Sequence, residues 1–241
     1  MKIYGLIGYP LSHSFSPSYF NAKFKTENID AVYQLFPIAE ISLFPQLIAD
    51  NPNIAGLNVT IPYKQQVIPY LDELSAEAKA IGAVNTIVFQ GNKLIGHNTD
   101  AFGFEQTLLG QENIKNGALV FGTGGASKAV QFVLKKHGIQ FNLVGRQKRK
   151  ANLCYEEITE DLASKNKLWI NCTPVGMFPD FEKKLNLPYS SLSPGHSVID
   201  LVYNPELTTF MKAAQEFGAK TVNGLQMLHN QAQKAWDLWH A

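Results

Sequence analysis

Ala118 to Val130 reads ALVFGTGGASKAV: an apolar run, glycines at 122, 124 and 125, then a segment of helical period. Glycine permits a tight turn and lets the backbone approach a ligand closely. A helix opening directly afterwards presents N–H groups and the positive end of its dipole to an anion. A dinucleotide pyrophosphate needs this strand–turn–helix arrangement, and Ser127 at the third fingerprint position is small enough for close helix–strand packing. The competing reading is a Gly-rich turn between packed elements, and the flanking strand and helix weigh against it.

The following strand indicates which dinucleotide. A site for NAD places Asp or Glu about 20 residues on, to hydrogen-bond the ribose 2′-hydroxyl. Here Asn142 to Lys150 reads NLVGRQKRK, and no acidic residue occurs from Gly122 through Tyr155. Arg146, Lys148, Arg149 and Lys150 would attract a 2′-phosphate that a carboxylate would repel, and Arg can grip it bidentately. A solvated basic turn and a nucleic-acid patch are the alternatives. The position directly after the second strand of the unit points to NADP, with Gly122, Thr123, Gly124, Gly125 and Ala126 as the pyrophosphate loop.

Outward from this unit, short β-branched runs alternate with helical segments, the pattern of an α/β protein with parallel strands. Strands are predicted at KIYGLIG, AVYQLFPI and IAGLNVTIP, and a hairpin over AVNTIVFQGNKLIGHNTD turns at Gly91-Asn92. Helices are predicted over SPSYFNAKFKTENI, with Ser16 as N-cap and Pro17 in first position, and over QVIPYLDELSAEAKAIG, disturbed at Pro69. The boundary falls near Ala101. Residues 1–100 form one domain, 101–224 the dinucleotide-binding domain, and helix 225–241 packs back on the first.

Composition sets outer limits. Of 241 residues, 45% are hydrophobic and 17% charged, enough for a sizeable core. With 21 basic and 20 acidic residues the formal net charge is +1, which gives no global reason for nucleic acid or an anionic membrane as partner. Cys154 and Cys172 are too few for a disulfide framework or a four-cysteine zinc site. The N-terminal apolar run is broken by Gly5, Gly8 and Pro10, which reads as a strand rather than a signal peptide. No run approaches the roughly 18 apolar residues of a membrane span. The expectation is a cytoplasmic protein with no bound metal.

In the first half, polar residues cluster at predicted strand ends: Ser12, His13, Ser14 and Ser16; Asn58 and Thr60; Asn85; Asn98, Thr99 and Asp100. Neutral hydroxyls and amides converging on one crevice suit a polyhydroxylated small molecule. Taken singly, each has a plain reading: Ser16 a helix cap, Asn98 and Asp100 turn formers, His13 and His97 structural residues, Lys64 a surface charge.

Together they resemble one family. HSFSP, NVTIPYK, GAVNT, GHNTDAFG, GTGGASKAV, NCTPVGM, DLVYNPELT and GLQMLHNQ occur in the order seen in shikimate dehydrogenases, from about residue 5 to residue 231. The resemblance implies an α/β substrate-binding domain, an NADP-binding Rossmann domain and an active site in the cleft between them. It implies Lys64 and Asp100 as the catalytic pair, and Ser14, Ser16, Thr60, Asn85, Tyr203 and Gln231 as substrate contacts. It places Arg146, Gln147 and Lys150 around the adenosine 2′-phosphate. Thr173 falls beside the cofactor, and Leu201 and Gly224 near its nicotinamide end. The chain departs from the family in having GRQ where NRT is common, and in compact connections around Gly110 and Asn152.

The implied reaction is reversible reduction of 3-dehydroshikimate to shikimate by NADPH, in the biosynthesis of chorismate and aromatic amino acids, by a monomer or homodimer. Three competitors differ in testable ways. An NAD-using quinate/shikimate dehydrogenase would be expected to carry an acidic residue after NLV. A non-enzymatic NADP-binding regulator would need neither Lys64 nor Asp100. A nucleic-acid-binding protein would need a second basic cluster.

Overall fold

The computed structural model describes every residue of the chain except Ser12, His13 and Asn113, so the Ser12 and His13 readings lie outside the described residues. The chain divides into two compact units, 1–99 with 231–241, and 100–230.

The first unit is built on a six-stranded mixed sheet: β1 (Lys2–Gly8), β2 (Ala31–Pro37), β3 (Ile54–Val59), β4 (Glu73–Leu74), β5 (Thr86–Gln90) and β6 (Lys93–His97), in the order β2-β1-β3-β5-β6-β4. β1 is parallel to β2 and β3 and buried along most of its length, as a strand covered on both faces must be. The hairpin partner β5 runs antiparallel to β3 and β6, so the sheet is not purely parallel. Gly91 takes φ +60 in the two-residue turn that closes the hairpin.

Helices α1 (Ser16–Thr26), α2 (Phe44–Asp50) and α3 (Ala76–Ile81) cover this sheet. Two expectations need correction. Ser16 is not an N-cap: it is the first residue of α1, and its own N–H donates to Ser14 Oγ at 3.3 Å. The long helix expected from Gln66 is instead a series of turns, a 3-10 turn at Ile68–Tyr70, β4, and then the short α3. Pro69 cannot donate into a helix, and Val67 and Tyr63 are buried by turns. α3 starts where Ser75 caps it by accepting from Ala78 N–H, and stops at Gly82, which takes φ 68.

The second unit begins with α4 (Asp100–Leu109) and carries an all-parallel sheet. Its strands are β7 (Ala118–Phe121), β8 (Phe141–Gly145), β9 (Leu153–Cys154), β10 (Leu168–Asn171), β11 (Ser197–Asp200) and β12 (Lys220–Val222), in the order β12-β11-β10-β7-β8-β9. Helices α5 (Gly125–Lys136), α6 (Glu160–Lys165) and α7 (Thr209–Gln215) connect them. Ala129, Val130, Val133 and Leu134 of α5 are buried, the one-sided spacing of a helix on a sheet. The order reverses between β7 and β10, which makes their carboxyl ends the topological switch point.

The last helix, α8 (Leu225–Trp239), changes unit between Asn230 and Gln231. Its far half closes the aromatic core of the first unit. Trp236 packs on Phe24, and Trp239 packs on Tyr4 and Phe20. Gly56 makes room for Trp239, whose indole N–H donates to the Ile87 carbonyl at 3.1 Å. Among the described residues no helix is long and apolar enough to cross a membrane, and no group of side chains could hold a metal ion.

Candidate functional site

In the first unit the carboxyl ends of β1, β3 and β6 and the start of β5 meet at one end of the sheet, because Asn58 pairs with Thr86 and Thr86 with His97. Most of the polar residues noted above lie there. Asn58 donates to Thr86 Oγ1 and to the Asn85 carbonyl, both at 3.2 Å. Asn85 Oδ1 accepts Thr99 N–H at 2.7 Å, and its Nδ2 donates to Thr99 Oγ1 at 3.0 Å. Thr99 Oγ1 then donates to Gln231 Oε1 at 3.3 Å, which brings α8 into the network. Asn58, Asn85, Thr86 and Thr99 are buried, so these bonds offset the cost of desolvating amides and hydroxyls.

The network continues to a residue that pattern reading passed over. Tyr33 is buried in β2, donates its hydroxyl to Asn58 Oδ1 at 2.7 Å and is bonded to the Ser16 side chain. Burial pushes its phenol far up, so it stays a neutral donor. Ser16 and Asn58 are thereby tied through one hydroxyl. Thr60 continues from β3, its N–H on the Ile7 carbonyl at 2.9 Å. Thr60 also packs against Gly8 so closely that a Cβ there would sit 2.5 Å from Thr60 Cγ2. Partly buried Lys64 follows the turn, and its carbonyl accepts Val84 N–H at 2.7 Å, one residue before Asn85. His97 is held below the ordinary imidazole range by burial and by the Lys234 charge, which fits a neutral structural role.

The second unit assembles the other set. Gly122 ends β7 at φ 105, and a Cβ on it would lie 2.9 Å from Thr173 Cγ2 and 3.2 Å from the Cys172 backbone. The first loop and the Thr173 loop are therefore in contact at the switch point. Gly124 has open space where a Cβ would stand, and no side chain caps α5 at that residue. The first N–H groups of a helix have no partner within it. With Gly125 and Ala126 opening α5 and Thr123 beside them, this is a cradle shaped for a diphosphate, and the chain's residues fit a dinucleotide.

On one side of the switch point lies the basic turn. Gly145 is buried at the end of β8, and a Cβ there would stand 3.0 Å from Thr123 Cγ2 and 3.1 Å from Ala151 Cβ. Gly145 thus packs closely against Thr123 and Ala151. Arg146, Gln147 and Lys150 are exposed; Gln147 Oε1 accepts from Arg149 Nε at 3.1 Å, and Lys148 is committed to Glu157. On the other side lie Thr173 after β10, Leu201 and Tyr203 after β11, and Gly224 after β12. Leu201 N–H donates to the Asn171 carbonyl at 3.0 Å, and Gly224 N–H to the Val202 carbonyl at 3.1 Å. Asp100 is buried in the first turn of α4, where the helix dipole favours a carboxylate.

Residues 6–87 match the family model for the shikimate dehydrogenase substrate binding domain. The chain is 42% identical to shikimate dehydrogenase (NADP(+)) of Clostridium beijerinckii, over 99% of this chain and 92% of that protein. Shikimate 5-dehydrogenase from Thermus thermophilus, solved with NADP(H) and shikimate, superposes with a TM-score of 0.88 at 31% identity, covering 99% of this chain and 93% of that one. Quinate dehydrogenase from Corynebacterium glutamicum, solved with NAD, superposes with a TM-score of 0.87 at 29% identity over the same shares. With an N-terminal substrate-binding unit, a parallel-sheet dinucleotide unit and relatives matched over nearly its whole length, the chain belongs to the shikimate dehydrogenase family.

Proposed function

We propose that the chain catalyses the reversible NADPH-dependent reduction of 3-dehydroshikimate to shikimate, a step toward chorismate and the aromatic amino acids. The observation that carries this reading is the buried network Asn58–Thr86–Asn85–Thr99–Gln231. It holds neutral amides and hydroxyls in fixed orientations at the sheet end of the substrate-binding unit. A polyol is recognised by such directional, uncharged groups. Ser14, Ser16, Thr60, Asn85, Tyr203 and Gln231 are the substrate contacts in this reading.

The bound cofactor supplies the hydride. Gly122 to Ala126 hold its diphosphate and Arg146, Gln147 and Lys150 its adenosine 2′-phosphate, with Thr173, Leu201 and Gly224 toward the nicotinamide. Lys64 does the proton work: its ammonium stabilises the developing alkoxide and donates a proton to that oxygen. Asp100 supplies the carboxylate that balances this charge. Two dispersed cysteines support a cytoplasmic enzyme; a monomer or homodimer remains the proposed assembly.

The test is an absorbance assay at the nicotinamide band with shikimate and NADP, then quinate and NAD. Turnover with the first pair well above the second is expected. Turnover with neither overturns the reading, and a preference for quinate and NAD replaces it with the activity of the Corynebacterium glutamicum neighbour.

A further inference from the structure

Asp200, at the end of β11, is fully buried, and among the described residues no cation pairs with it. Three donors hold it instead. Oδ1 accepts Asn171 Nδ2 at 2.9 Å and Val202 N–H at 3.0 Å, and Oδ2 accepts the Thr208 hydroxyl at 2.6 Å. An unpaired buried carboxylate is costly to keep. A chain that needed only packing here would be served by an apolar residue.

What the carboxylate does is settle orientations. Ionised, it can only accept, so Asn171 must turn its NH2 toward Asp200 and its Oδ1 away. That Oδ1 then accepts Thr173 N–H at 2.9 Å and the Thr173 hydroxyl at 2.6 Å. Thr173 Oγ1 in turn accepts Val175 N–H at 3.2 Å. The other branch fixes Val202, between Leu201 and Tyr203, and the Val202 carbonyl in turn accepts Gly224 N–H. Among the described residues its side-chain hydrogen bonds run only to β10 and to the loop after β11, on the nicotinamide side of the switch point.

Resting on NADP as the cofactor of this unit, we propose that Asp200 is a positioning residue for the nicotinamide half of the dinucleotide, acting through Asn171 and Val202. Asp200→Asn keeps the shape but replaces an obligate acceptor by an amide that can turn a donor toward Asn171, which leaves the Asn171 orientation to Thr173 N–H and to the Val175 carbonyl, the latter accepting Asn171 Nδ2 at 3.3 Å.

The test is fluorescence titration with NADPH and with adenosine 2′,5′-bisphosphate, which has the adenosine end and no nicotinamide. The expected result for Asp200→Asn is a dissociation constant for NADPH raised about 3–10-fold, with that for the bisphosphate within about twofold of wild type. This is the scale of one ordinary lost hydrogen bond. Asn171→Ala should show the same split, and the double variant should fall short of the sum of the two effects, because both cut one chain of bonds. Equal weakening of both ligands, unchanged NADPH binding, or full additivity overturns the proposal while leaving the cofactor reading intact. Wild-type protein that binds neither ligand overturns both.

Discussion

Gly224 and Leu201 touch through their backbones: a Cβ on Gly224 would stand 2.1 Å from the Leu201 carbonyl oxygen and 2.6 Å from its carbonyl carbon. No side chain can move aside to relieve that contact. The absence of a side chain at 224 is therefore what allows the start of α8 to lie against the end of β11. Gly224→Ala is expected to cost about 1–3 kcal/mol by overpacking, read as a melting temperature lower by about 3–10 °C. The Michaelis constant for NADPH should rise with it. An unchanged melting curve would show that the two segments separate freely.

Lys64→Ala is expected to lower turnover by about 10² or more, the scale of lost general acid–base catalysis. The Michaelis constant for shikimate should move far less, because the amide and hydroxyl network is left in place. Turnover within a few-fold of wild type would remove Lys64 from the chemistry.

Arg146→Ala should raise the Michaelis constant for NADPH about tenfold or more, while that for NADH changes little. A charge-assisted contact to the 2′-phosphate is worth roughly 1.5–3 kcal/mol, and NADH has no such phosphate. Equal effects on both cofactors would mean that the basic turn does not read it.

Tyr33→Phe deletes one buried hydroxyl that holds Asn58 and Ser16. It leaves Asn58 Oδ1, now met at 2.7 Å, without its donor. The expected cost is about 1–3 kcal/mol for an unsatisfied buried acceptor, and loosening of Ser16 and Asn58 should raise the Michaelis constant for shikimate several-fold. Steady-state kinetics beside a denaturant melt separates the two effects. Wild-type values in both would show that another donor takes over.

Asp200 also predicts a pH dependence. Burial raises its pKa from 3.8 to about 6, against the opposing hydrogen bonds from Thr208, Val202 and Asn171. The folded state thus holds the proton more tightly than the unfolded chain does. The stability from this group is fully present below about pH 3.8 and is lost as pH rises through about 6. The interval corresponds to about 3 kcal/mol. Cys172 and Tyr189 face the same carboxylate, and burial pushes both well up, so neither titrates in this window. The stability of Asp200→Asn relative to wild type should therefore rise between about pH 4 and 7 and level off above. A flat difference across that range would contradict the assignment.

The sequence disclosed what is local. The Gly122–Ala126 turn could be read because its glycines, strand and helix are contiguous, and the hairpin at Gly91-Asn92 for the same reason. The segment from Gln66 to Gly82 misleads because its apolar residues follow a helical period, while Val67 reaches the core from a turn. Ser16 was misplaced because the hydroxyl two residues earlier, on Ser14, takes the backbone N–H. Tyr33 and Asp200 left no local signal. Tyr33 meets Asn58, and Asp200 meets Asn171, only after distant strands have been laid side by side.

The division within α8 bears on the order in which the chain can fold. The second unit is one uninterrupted stretch, 100–230, set inside a first unit that is completed only by 231–241. A ribosome releases the N-terminal residues first. Even so, the strands of the first unit must wait for Trp236 and Trp239 before their aromatic face is covered. The half that emerges first is thus the half that is finished last, and until then the faces of Phe20, Phe24 and Tyr4 that pack on Trp236 and Trp239 are uncovered.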